Sequence, residues 1–349
     1  MILCIQGWLP HYRRDFFNEL SRLDDVTVIH SGESSIRPSD RFKEIILPLE
    51  IIGPFRVQKG LLSHISQENP STIVAMFDIH WVNTIAAMMI FDNRINWIWW
   101  GLDQGKSSFG NLAKKLIARR NNPIVFYTEH AKRLFGDSLY NRNRLFVANN
   151  TFHVPNRAKC FLNPKKNRFL NVGTLDVRKE NDLTIRAVRR VLDSTGIDLC
   201  LTFIGEGDDL PRLKNLVEEL GMQRHVEFTG DINDLDVLSL YYADTIASVS
   251  FGQAGLAVLQ SMAFGVPFVT KRSAISGGEK YNIVDGENGL LCDDSLFSLE
   301  TALMKLVNDA GYARTLGRAA YDYYTASASI YNMVEGFSAA IEYGRSSYD

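Results

Sequence analysis

The feature that most constrains this chain is an alternation that runs through it twice. Short apolar runs of strand length take turns with stretches of helical period, first from Ile2 to Val147 and again from Arg168 onward. Parallel strands need long crossovers, usually helical, so such an alternation predicts a parallel sheet covered by helices on both faces. In the first half, residues 2–5, 26–30, 73–77, 96–100, 124–127 and 145–147 read as strands. Residues 12–23, 58–67, 83–93, 110–120 and 129–134 read as helices. Periodicity then vanishes over 149–167, a stretch rich in Asn, Pro and Lys that reads as a linker. The pattern restarts with strands at 168–172, 199–205, 226–229, 246–248, 267–271 and 289–292. Helices are expected at 182–193, 208–220, 234–243, 255–264 and 296–308, with the last ones between 312 and 343.

The length of 349 residues is that of two domains, and 46% hydrophobic with 22% charged residues is the composition of a folded globular chain. The expected fold class is α/β: two doubly wound, Rossmann-like domains, 1–160 and 168–325, facing across a cleft where the carboxyl ends of both sheets meet. Residues 326–349 are expected to form a helix that crosses back to the first domain.

The net charge of −2 conceals an asymmetry. Residues 1–165 hold 21 Lys and Arg against 14 Asp and Glu, a balance of +7, whereas residues 166–349 hold 17 against 26, a balance of −9. Nine of the basic residues lie between Lys106 and Arg144, which suits anionic lipid head groups or phosphorylated acceptors and suits a solvated basic face equally well. Nucleic acid is not an expected partner, since no binding motif accompanies the charge. Cys4, Cys160, Cys200 and Cys292 lie far apart without metal-ligand spacing and read as reduced thiols of a cytoplasmic protein. The N-terminus has no basic leader, and the longest apolar stretches, 85–91 and 97–100, are too short to span a bilayer, so membrane contact is expected to be peripheral.

Three loops of the second half carry chemical information. In 201–210, Gly205 and Gly207 stand at a strand-to-helix turn where a ligand can approach the backbone. Leu210 replaces the third glycine of a dinucleotide fingerprint, which disfavours an oxidoreductase. In 250–267 a glycine-rich loop enters a short helix, and the amides of Gly255, Leu256 and Ala257 would offer a phosphate site at its N-terminus, or simply begin an ordinary helix. In 171–183 a strand ends at Gly173, and a polar turn presents Arg178 and Lys179, cations suited to a departing diphosphate or to a surface charge pair.

Taken in order, Val-Gly-Thr-Leu with Lys179, Ile-Gly-Glu-Gly, Val-Glu-Phe-Thr-Gly at 226–230, Tyr-Tyr-Ala-Asp, the 255–267 helix, and Gly-Gly-Glu with Asp-Gly-Glu-Asn-Gly-Leu-Leu at 277–291 resemble the donor-binding domain of the family-four glycosyltransferases of GT-B fold. More loosely, 9–20, 99–105 and 147–151 are similar to bacterial enzymes that build surface polysaccharide and lipopolysaccharide. The resemblance implies transfer of a sugar from a nucleotide diphosphate to a hydroxyl acceptor, with anomeric configuration retained and with no metal or other cofactor. It implies that Lys179 and Arg178 hold the diphosphate and that Gly255, Leu256 and Ala257 take its terminal phosphate. Gly173, Thr174, Gly205, Val226 and Phe228 would border the donor. It also implies a glycan acceptor, lipid-linked, met on the first domain by the loop carrying His11, Arg13 and Arg14, at the inner face of the cell membrane.

The departures concern the family's two glutamates, eight positions apart, where this chain has Gly252 and Gln260. A glutamine still hydrogen-bonds ribose hydroxyls, but Gly252 has no side chain with which to contact the donor sugar. Thr174 stands where the family carries arginine, and Leu102 and Asp103 occupy the neighbourhood of a missing histidine. Glu279 and Asp103 are the candidate carboxylates for contacting the sugar or assisting the acceptor proton, or else solvated loop residues. His80 is a weaker candidate, and 109–120 reads as an amphipathic helix for a membrane surface or for its own domain. Two other readings stay open: a nucleotide-sugar-binding protein without turnover, and a sugar-nucleotide epimerase or hydrolase on the same fold.

Overall fold

In the computed structural model of the chain, residues 1–34, 36–91, 93–101, 117, 122–136, 142–155 and 157–346 are described. The first of two compact units runs from Met1 to His153 and includes the C-terminal helix from Ile330. Its strands are β1 (Ile2–Ile5), β2 (Val26–His30), β3 (Lys43–Ile46), β4 (Leu49–Ile52), β5 (Phe55–Gln58), β6 (Thr72–Met76), β7 (Asn96–Gly101), β8 (Ile124–Phe126) and β9 (Leu145–Val147). Seven of them form a sheet of order β3-β2-β1-β6-β7-β8-β9 in which every neighbouring pair is parallel.

The sequence Asn-Trp-Ile-Trp-Trp-Gly of β7 shows why both faces must be covered. Successive strand side chains point to opposite faces. Accordingly, Trp97 and Trp99 enter one core cluster and Ile98 and Trp100 the other. Burying each such side chain contributes about 1.5–3 kcal/mol. The cluster on the Trp100 side is closed by the helix Ile330–Ser346, whose Phe337 ring lies 4.9 Å from that of Trp100. The helix lies directly on the sheet: a Cβ on Gly336 would collide with the Val147 carbonyl, and one on Gly344 with the Asn96 side chain. Asn96 Nδ2 also donates to the Ile341 carbonyl at 3.0 Å.

Strand β3 and the antiparallel hairpin β4–β5 were not anticipated from the sequence. β4 is exposed throughout and β3 and β5 are only partly buried, so the apolar-polar alternation that marks a half-buried strand is absent. The hairpin turns at Gly53, which has φ +57, and exposes Ile51, Ile52 and Phe55 by 67, 56 and 45%.

The second unit spans Val154–Ser329. It begins within the 149–167 stretch read as a linker, because Cys160 N donates to Phe264 O at 3.0 Å and Phe161 packs over Gly265. Its strands β10 (Arg168–Val172), β11 (Cys200–Ile204), β12 (Val226–Gly230), β13 (Thr245–Val249), β14 (Phe268–Lys271) and β15 (Gly289–Cys292) form a parallel sheet of order β12-β11-β10-β13-β14-β15. Strand order reverses beside β10, and in sheets of this kind ligands bind at the carboxyl ends next to that reversal. Helix Asn181–Thr195 follows β10, buries Ile185, Val188 and Val191, and stops at Gly196 in the left-handed conformation, whose amide caps the Leu192 carbonyl. Each unit is thus a parallel sheet flanked by helices, a Rossmann-like layer architecture.

Candidate functional site

Loops leaving β10, β11, β13 and β14 lock together through their backbones. Gly173 N donates to Ile204 O at 2.8 Å and Leu175 N to Glu206 O at 2.7 Å, which joins the first loop to the second. Gly252 N donates to Lys179 O at 2.9 Å, Ile275 N to Gly252 O at 2.9 Å, and Ala254 N to Ile275 O at 2.8 Å. The loop after β13 is therefore pinned between the other two.

This interlocking accounts for the glycines. A Cβ on Gly205 would run into the Gly173 carbonyl, and one on Gly207 into the Leu175 carbonyl. The close approach expected from a ligand is made by the chain's own backbone. Gly252 is equally constrained, since the Arg178 carbonyl occupies the place of its Cβ.

Above Gly173 sits the Lys179 amine, only 2.7 Å from where a Cβ would be. Desolvation pushes the Lys179 pKa down to about 8; Asp176 opposes that shift and Arg178 adds to it. Asp176 is itself engaged by Arg178, accepting from its backbone N at 2.8 Å, Nε at 3.0 Å and Nη2 at 2.9 Å, and those bonds hold Asp176 at about 2. Of the two cations proposed for a diphosphate, Arg178 is therefore exposed and already paired. Among the described residues, no carboxylate forms an ion pair with Lys179.

Further along the same rim, the helix Ala257–Ala263 begins. Its ladder opens with Val258 N to Gly255 O and Gln260 N to Leu256 O, both 3.0 Å. Among the described residues, the amides of Gly255, Leu256 and Ala257 meet no acceptor. These three residues are partly exposed, and the side of Gly255 where a Cβ would project is open.

The remaining donor-side residues are placed as follows. Thr174 is exposed beside Gly173. Gln260 is buried, with Tyr242 Oη donating to its Oε1 at 3.4 Å. Glu279 is also buried, in a loop joined to the Gly252 loop through Ile275, and accepts from Ser276 Oγ at 3.3 Å. Phe228 stacks on Phe203, with ring centroids 5.2 Å apart. Val226 pairs with Leu201 at the opening of β12. Because β12 runs parallel to β11, Val226 lies at the edge away from the loops, and Gly230, whose carbonyl accepts from Gly205 N at 2.9 Å, stands at the loop edge instead.

One group was invisible to sequence reading. Glu180 has φ +54, a left-handed backbone uncommon for any residue but glycine. Both its carboxylate oxygens accept from Lys271 Nζ, at 2.7 and 2.8 Å, and the same amine reaches Asp294 Oδ1 at 2.9 Å. Burial lowers the Lys271 pKa less than these two carboxylates raise it. Partners 91 residues apart leave no local pattern to read.

In the first unit, the expectation that Arg13 and Arg14 face an acceptor is corrected. Arg13 is buried, donating to Gln6 Oε1 at 2.6 Å and Tyr127 Oη at 2.7 Å, with its guanidinium 4.5 Å from the Trp100 ring. Arg14 pairs with Asp40, each side chain being 2% exposed. Both arginines hold the fold together, and only His11 of that set is exposed. His80 is exposed and bonded to Asp78 at 2.7 Å. Asp103 and nearly all of 109–120 lie outside the described residues. Burial pushes the thiols of Cys160 and Cys292 up to about 11 and 12. Among the described residues, no helix is long and apolar enough to cross a membrane.

The family model of "Glycosyl transferases group 1" matches residues 155–323, which is nearly the whole second unit. An uncharacterized glycosyltransferase of Haemophilus influenzae is 31% identical over 187 residues, 53% of this chain and 51% of that protein. The lipopolysaccharide core biosynthesis glycosyltransferase LpsE of Rhizobium meliloti is 32% identical over 124 residues, 36% of this chain and 34% of its own length. The chain thus spans about half or less of the curated relatives it matches. The crystal structure of Anabaena Alr3699/HepE in complex with UDP superposes with a TM-score of 0.76 at 15% identity, over 98% of this chain and 99% of that one. Residues 155–323 thus match the glycosyl transferases group 1 family, and the chain has the two-unit, Rossmann-like architecture of the GT-B fold.

Proposed function

We propose that the second unit holds a nucleotide diphosphate-sugar and that the chain transfers the sugar, with retention, to a hydroxyl of a lipid-linked glycan of the bacterial surface. The observation that carries this reading is a half-buried Lys179 amine with no acid partner among the described residues, in a turn hydrogen-bonded to the loop that presents three free amides. When the bond between the anomeric carbon and the diphosphate breaks, negative charge grows on the leaving group, and fixed donors in a partly dry site stabilise it. Lys179 is assigned that diphosphate, and Gly255, Leu256 and Ala257 its terminal phosphate. Binding of UDP by Alr3699/HepE supports a donor of this chemical class. Glu279 is assigned the sugar or the acceptor proton, and Gln260 the ribose.

The acceptor falls to the first unit. Its support is the positive balance of the first 165 residues and the lipopolysaccharide role in the name of LpsE. The exposed hairpin tip at Ile51, Ile52 and Phe55 supports peripheral contact with the cytoplasmic face of the membrane. The missing glutamate at Gly252 favours a second reading, a binding protein without turnover, because a Glu at 252 would meet the Arg178 carbonyl. The purified chain, a panel of nucleotide-sugars and a membrane extract decide between them. Transfer with release of nucleoside diphosphate is expected; a donor bound but never consumed selects the second reading, and full consumption without acceptor selects a hydrolase or epimerase.

A further inference from the structure

Lys179 is followed directly by an acid, and a neighbouring carboxylate is the natural neutraliser of a lysine amine. It does not serve as one here. Glu180 turns away in a left-handed backbone, accepting Lys271 on both oxygens. Lys271 is buried at the end of β14, and Asp294, which also accepts from Ser273 Oγ at 3.0 Å, holds the amine from its other side. The turn itself is fixed by Glu180 N donating to Val177 O at 3.0 Å and by Gly252 N to Lys179 O. The other nearby acid, Asp176, is engaged by Arg178. Each acid that flanks Lys179 in the chain thus has its own cation, and the Lys179 amine lies over Gly173 without an ion-pair partner among the described residues.

We infer that Lys271 is a positioning residue for the anion site: by sequestering Glu180 it locks the 177–180 turn and keeps Lys179 free for the diphosphate. This deepens the donor reading, because a site with Lys271 removed would release an adjacent carboxylate onto the cation meant for the ligand. Charge, rather than packing, is the operative property. Removing the acid together with Lys271 should therefore restore what removing Lys271 alone destroys.

The experiment compares wild type, Lys271→Met, Lys271→Arg and the double variant Lys271→Met/Glu180→Gln. Thermal melting reports folding, competitive acetylation with mass spectrometry reads the Lys179 titration, and calorimetry with inorganic pyrophosphate reads binding. In Lys271→Met, the Lys179 pKa is expected to rise toward the ordinary lysine range and pyrophosphate affinity to fall at least tenfold. The double variant should return both to within about threefold in affinity and half a unit in pKa, and Lys271→Arg should behave as wild type. A Lys179 titration unmoved in Lys271→Met overturns the inference, as does a double variant as impaired as the single one at equal melting temperature. Should Lys271→Met fail to fold, Lys271→Gln and Lys271→Gln/Glu180→Gln read the same titration, and a Lys179 value unmoved in Lys271→Gln overturns the inference. A titration that moves as expected in a chain that binds no pyrophosphate would instead retire the donor reading and leave the electrostatic inference standing.

Discussion

A lysine buried without an acid partner costs the fold at neutral pH, because the folded state disfavours the charge that the unfolded chain carries freely. For Lys179 the folded pKa of about 8 lies below the unfolded value. The cost is fully present below pH 8 and disappears as pH rises from there through the ordinary lysine range. Lys179→Met should therefore raise stability at pH 7, by about 1–3 kcal/mol in denaturant unfolding, while weakening nucleotide diphosphate binding at least tenfold. Binding by the wild type should fall as pH rises through about 8, and calorimetry at pH 6.5 and 9 checks the sign. Gly252→Glu, which would recreate the usual glutamate, should destabilise the fold instead of raising turnover, since the Arg178 carbonyl stands where its Cβ would go. Arg14→Ala leaves the buried Asp40 carboxylate without its cation, held only by Asn18 Nδ2 and Arg37 N, and is expected to cost about 3–5 kcal/mol of unfolding free energy. The sequence pointed to Lys179 and to the missing glutamate at 252, because both lie within ordered motifs. It misassigned Arg13 and Arg14, whose partners Gln6, Tyr127 and Asp40 are fixed by tertiary packing.

Among the elements, legibility followed burial. The Trp-rich run of β7 announces a strand covered on two faces, and the sheets are doubly wound as that pattern requires. The hairpin β4–β5 escaped because an exposed apolar ribbon has no face to alternate against. Replacing Ile51, Ile52 and Phe55 by Ser should leave the melting temperature nearly unchanged and reduce cosedimentation with anionic vesicles; unaltered cosedimentation removes the hairpin from the membrane contact. The C-terminal helix Ile330–Ser346 lies against β7 and β9 at two glycines eight residues apart. Gly336→Ala has no space to occupy, and overpacking of this kind typically costs about 1–3 kcal/mol. A urea midpoint unchanged by that substitution would refute the close packing.

For the molecule as a whole, the strand-helix alternation carried the plan of two Rossmann-like units, whereas the unit boundary at Val154 depends on Cys160 and Phe161 contacting Phe264 and Gly265, which composition does not reveal. The halves differ in charge, the first carrying the positive balance and the second the negative. An acidic half that binds an anion must do so through local donors against its own field, which places the weight of the account on Lys179 and the free amides. The most direct test is calorimetric titration of the full chain and of Lys179→Ala with a panel of nucleoside diphosphates and their sugars. Saturable binding of at least one of them, weakened at least tenfold in the variant, is the predicted result. Binding to none, or equal affinity in the two proteins, would contradict it.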